Sequence, residues 1–157
     1  MPTRLFRYVL PFGNDRFSTP RSLRRSVSDM NKLKKYTVFF LIGGAGYAVI
    51  ELLWRGHTHW TMVIAGGICF VIFSLISKNF PKKSLIYKSI LCAVSVTGVE
   101  FVFGIIFNVI LKMNIWDYSK VPLNLCGQVC PLFTVLWGVL GLIFIPLADV
   151  LNKKLAP

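Results

Sequence analysis

A chain of 157 residues that is 55% hydrophobic and only 15% charged, with a positive mean hydropathy, is too apolar to be an ordinary soluble domain. Its net charge of +12 would on a soluble protein suggest a nucleic-acid partner. No basic stripe interleaved with stacking aromatics accompanies that charge, so the expectation is a membrane protein without nucleic acid.

Residues 1–35 come first, rich in Arg, Ser and Pro and too polar to bury a core. They read as a flexible basic N-terminal segment attracted to anionic headgroups. No small-residue cleavage site follows the first apolar run, which is therefore a retained span and not a signal peptide. A hydrocarbon core of ~30 Å takes ~20 apolar residues per helix. Four runs qualify: Tyr36–Trp54, Thr61–Ser77, Ile86–Leu111 and Val129–Leu151. The second is short and reaches the interface with its flanks. Barrel-like alternation is absent, so the backbone must satisfy itself in helices. The expected fold is all-α: a polytopic membrane protein with four transmembrane helices in one domain, 36–157.

Orientation follows from the basic residues. Fifteen Lys and Arg lie before Tyr36, in residues 78–88 or at Lys153 and Lys154, whereas the other side has only Arg55, Lys112 and Lys120. Both termini are accordingly expected in the cytoplasm, with "RGHTHW" (residues 55–60) outside.

Ionisable groups inside a bilayer cost at least ~2.5 kcal/mol each and mark partners, cavities or water. Glu51 and Glu100 are the two acidic residues well inside the expected spans. Gly43, Tyr47, Glu51 and Arg55 recur every fourth residue, and Thr97, Glu100, Gly104 and Asn108 at intervals of three and four, so each set follows one helix face. At 1.5 Å per residue both carboxylates lie ~21–23 Å from the cytoplasmic helix ends, in the outer half. The expectation is a polar pocket between the first and third helices, the carboxylates facing each other or sharing a cation, with Arg55 as counter-ion. The plainer alternative is an interfacial Glu51–Arg55 pair and a Glu100–Asn108 contact joining helices.

The outer loops extend that surface through His57, His59, Trp60, Trp116, Asp117, Tyr118, Asn124 and Gln128. The two histidines with Asp117 would be zinc-type ligands, yet only the His-x-His pair is local, so no metal is assigned. Trp54 suits an interfacial aromatic belt. Cys126 and Cys130 could be bridged only across a very small loop, and Cys69 and Cys92 read as small apolar residues.

"GYAVIELLWRGHTHWTM", "GVEFVFGIIFNVIL", "IWDYS" and "NLCGQVCPLFTVLW", in that order, resemble a family of small four-helix membrane proteins catalogued as ABC-transporter permeases (type IV, CmpB-like). The resemblance spans about residues 36–151 and implies a multi-pass protein of a bacterial inner membrane or a eukaryotic relative. A transport ATPase would then be a separate subunit docking on "SKNFPKKSLIYKS". The functional expectation is a small transporter or permease-like subunit, without cofactor, in contact with membrane lipid and self-associating or joined by a partner subunit. Gly66–Gly67 and Gly138 with Gly141 supply the flat faces for that association. A structural or regulatory partner protein is the alternative. A membrane enzyme is a third, with Glu51 or Asp117 as base and His57 or His59 moving protons at a lipid headgroup. No catalytic residue is assigned.

Overall fold

The computed structural model describes residues 21–155. Four helices follow one another: α1 Arg21–Arg55, α2 Trp60–Asn79, α3 Leu85–Phe103 and α4 Pro131–Lys154. A π-helical turn, Gly104–Ile110, prolongs α3. All four are long and apolar enough to cross a membrane, and no strand occurs among the described residues. Large side chains such as Leu41, Leu53, Ile86, Val94 and Ile143 stand more than half exposed on the outer faces, where lipid replaces water.

Local chemistry sets the ends. Gly56, at a φ of +72°, stops α1 where a residue with a side chain would be strained. His59 accepts the Thr61 amide at 3.4 Å as the cap of α2, Ser84 accepts the Tyr87 amide at 3.3 Å for α3, and Pro131 opens α4. α1 starts at Arg21 and not at Tyr36. No Gly or Pro interrupts residues 21–42, so the helix runs on past the apolar segment, and its ~52 Å exceeds a ~30 Å hydrocarbon core. The flexible segment expected before Tyr36 is thus helical from Arg21, and its remainder, 1–20, lies outside the described residues.

α2 is the hub and packs against each other helix, whereas no Cα of α1 comes within 8 Å of α3 or α4. Glycines draw α1 onto α2: a Cβ on Gly43 would meet the Gly66 carbonyl oxygen at 2.6 Å, and one on Gly66 would overlap Tyr47. A Cβ on Gly141 would lie 3.2 Å from Ser89 Cα, and Gly138 faces Ala93. These glycines therefore serve contacts inside the bundle, which removes the reason given above for outward association faces. The apolar centre is Phe39, Phe70, Phe73, Cys92, Val96, Ile145 and Ala148.

Below that centre, at the lysine-rich end, lies a polar layer that the helix patterns did not single out. Ser77 donates to Asp149, Lys88 Nζ lies 3.7 Å from the other Asp149 oxygen, Ser74 donates to Asn152 Oδ1 at 2.9 Å, and Asn152 Nδ2 returns to the Ser74 carbonyl at 3.1 Å. α2, α3 and α4 are tied there. Asp149 and Lys88 fall near the ends of their expected spans, where helical spacing gives them no partner.

Candidate functional site

At the opposite end, the α1 backbone packs closely on α2 alone, so its Glu51 face looks across a gap towards α4 and the 111–130 loop. Glu51 is buried and accepts from the Arg55 guanidinium one turn on and from Thr58 Oγ1 at 2.7 Å. Arg55 also donates to the Ile115 carbonyl at 3.2 Å, which fastens the loop to α1. This pair borders a cavity of about 330 Å³, walled by Tyr47, Ile50, Trp54, Trp116, Tyr118 and the α4 side chains Leu136, Trp137 and Leu140. The cavity lies between α1 and α4, not between α1 and α3 as the helical stripes implied. Helical spacing carries no information on the order of helices around α2.

Glu100 is equally buried but belongs to a different arrangement. Tyr118 donates to its Oε1 at 2.8 Å and Trp137 to its Oε2 at 3.0 Å. No basic group among the described residues lies within 4 Å of it, so Arg55 pairs with Glu51 and not with Glu100. The space bordering Glu100 is about 10 Å³, at the lower edge of the ~10–15 Å³ that one water needs. Burial, then the Glu100 carboxylate, raises the Tyr118 hydroxyl above the usual tyrosine range and keeps it a donor. Tyr118 also stacks on Phe133 at 4.4 Å between ring centroids. Tyr47 stacks on Trp137 at 6.0 Å, and the two rings line both the 330 Å³ cavity and the small space beside Glu100.

The rest of the α3 stripe organises the loop. Thr97 and Thr134 hydroxyls meet at 2.9 Å. The π turn carries Asn108 inward, where its amide donates to the Trp116 carbonyl at 2.8 Å and to Gln128 Oε1 at 2.9 Å, while its oxygen accepts the Ile115 amide at 2.7 Å. Gly104 is needed opposite: a Cβ there would meet the Gln128 Cβ at 2.8 Å. Trp116 is buried, its indole donating to the Gln128 carbonyl at 3.0 Å. Asn124 closes the loop through the Val121 carbonyl and the Gly127 amide.

The remaining expected residues stand apart. His57 is exposed, with Nδ1 2.9 Å from the Arg55 carbonyl oxygen, and His59 is occupied with capping α2. Asp117 is fully exposed, and the Ser119 hydroxyl and amide hold its carboxyl below the usual range. Trp60 is half exposed and meets Phe107 edge-on at 5.7 Å. Cys126 and Cys130 are free thiols. Among the described residues no three His, Cys, Asp or Glu side chains are grouped as a metal would require.

A family model described as "Putative ABC-transporter type IV" matches residues 37–156. No curated protein and no solved structure matches the chain.

Proposed function

The chain belongs to the ABC-transporter type IV family, and from that premise we propose that it is a permease-like membrane subunit whose α1/α4 cavity receives a small solute against the Glu51–Arg55 pair. The observation that carries the reading is the coincidence of a ligand-sized space with a buried ion pair at one end of the bundle. A volume of about 330 Å³ falls in the range of small-molecule sites, and aromatic walls with few polar groups are the usual lining. The pair offers acceptor and donor together, which suits a solute carrying both a cationic or hydroxyl group and an anionic or carbonyl one. Trp116, Tyr118, Asn108, Asn124 and Gln128 support the cavity from the loop side. In this reading both termini are cytoplasmic, the cavity opens outward, and the membrane is the cell membrane if the host is bacterial. An ATPase would be a separate subunit at residues 77–89.

The test is genetic and chemical. In cells lacking the gene, untargeted profiling of medium and cell extract is expected to reveal a solute whose distribution changes and is restored by the wild-type chain. Leu140→Trp, which fills the cavity but leaves the ion pair, should fail to restore it at equal membrane level. Full restoration by that variant would contradict the reading. Glu100, tied to two neutral donors with no space for a solute, instead favours a structural role for its own network.

A further inference from the structure

The same seam between α1 and α4 has a second open stretch at the lysine-rich end. A cavity of about 260 Å³ is lined by Asn31, Lys34, Lys35, Val38 and Leu155. One turn beyond Val38, Ile42 and Gly43 begin an apolar furrow of about 110 Å³ that continues along Gly46 and Ile50 against Leu140, Phe144 and Leu147. Both exist because the α1 backbone packs closely on α2 alone and meets α4 only through side chains such as Lys35 and Tyr47. A Cβ on Gly46 would meet nothing within 4 Å, so the furrow is widened where a side chain would have narrowed it.

The charge at the mouth is unbalanced. Neither Lys34 nor Lys35 has a carboxylate within 4 Å among the described residues; the nearby Lys32–Asp29 pair is separate, and Lys35 Nζ reaches only the Asn152 carbonyl at 3.4 Å. The Lys78 charge also bears on Lys35. Lys34 and Lys35 stand immediately before the apolar run that starts at Tyr36, at headgroup depth for a helix crossing the bilayer.

We propose that the α1/α4 seam holds one anionic phospholipid, its phosphate between Lys34 and Lys35 and an acyl chain in the furrow past Val38 and Gly46. Charge complementarity selects the occupant. An apolar groove alone would accept any lipid tail or a second helix, but unpaired lysines at its mouth favour a phosphodiester with net negative charge. The phosphate end of the site lies at Lys34 and Lys35, outside the lining of the Glu51–Arg55 cavity, and the furrow adjoins that cavity at Tyr47, Ile50, Trp137 and Leu140.

Native mass spectrometry of the full chain from nanodiscs of equal phosphatidylglycerol and phosphatidylcholine tests this. One phosphatidylglycerol should be retained in preference, and Lys34→Gln/Lys35→Gln should cut the preference roughly thirtyfold, at ~1 kcal/mol per lysine. Lys153→Gln/Lys154→Gln, at the same end but outside the cavity lining, should leave it unchanged. Gly46→Leu should reduce retention of either lipid while thermal stability holds, because its side chain enters open space. Equal loss in the two lysine pairs would reduce the effect to general surface attraction. Retention indifferent to headgroup, or a second copy of the chain in place of lipid, would overturn the proposal.

Discussion

Glu51 and Glu100 have the same burial and opposite circumstances, and substitution should separate them. Glu51→Gln leaves the Arg55 guanidinium without its counter-charge. Because Arg55 is part exposed, the expected loss is about 1–3 kcal/mol, below the ~3–5 of a fully buried pair, read as a lower Tm in detergent. At Glu100 the carboxamide can still accept from Trp137 and donate to a reversed Tyr118 hydroxyl, so Glu100→Gln should cost under about 1 kcal/mol. Glu100→Leu strands both donors and should cost at least ~2 kcal/mol. Equal Tm losses for the Gln and Leu variants would mean that the two hydrogen bonds are not what holds Glu100. Asp117 adds a pH prediction. Its carboxyl is depressed by Ser119, so its contribution to loop order is complete above the ordinary value of ~3.9 and is lost as pH falls through the lower folded value. Ser119→Ala should return its carbon-13 titration midpoint towards that ordinary value; an unchanged midpoint would count against the Ser119 assignment.

Between elements, glycine positions divide sharply. Gly66→Ala places a methyl into Tyr47 and should separate α1 from α2 at a cost of about 1–3 kcal/mol, whereas Gly46→Ala faces open space and should be neutral or mildly stabilising. Thermal melts of the two variants check the contrast, and equal losses would count against the close α1–α2 contact. Sequence periodicity made these faces legible but not their partners. Gly43, Tyr47, Glu51 and Arg55 do share a face, as spacing requires, yet spacing is blind to which helix lies opposite. Spacing therefore suggests α3 as the partner of α1, whereas α2 stands between them and α4 walls the cavity. Asn108 was legible as inward-facing. Its loop partners were not, since the Ile115 amide and the Trp116 carbonyl carry no side-chain signal and the π turn has no sequence mark here. Lys88 and Asp149 escaped for a related reason: charge near a helix end resembles a solvated flank until the neighbouring helix supplies the partner.

For the whole molecule, the basic asymmetry predicts that cysteines placed at Thr58 and Ser119 in a cysteine-free background label with an impermeant thiol reagent in intact cells, while one at Ser28 does not. Labelling at Ser28 alone would invert the orientation. The central claim is that water and solute enter the α1/α4 cavity beside Glu51 and Arg55, and adjacent α4 positions test it most directly. Leu140 lines the cavity, whereas Ile143 is 62% exposed on the bundle surface and does not. Thiols react as thiolates, which form in water and not in hydrocarbon, so labelling separates a wet wall from a lipid-facing one. In the same cells and with the same reagent, Leu140→Cys should label from outside while Ile143→Cys stays unreactive. If Leu140→Cys proves as inert as Ile143→Cys although Thr58→Cys labels, the cavity is closed or lipid-filled and the site beside Glu51 does not receive solute.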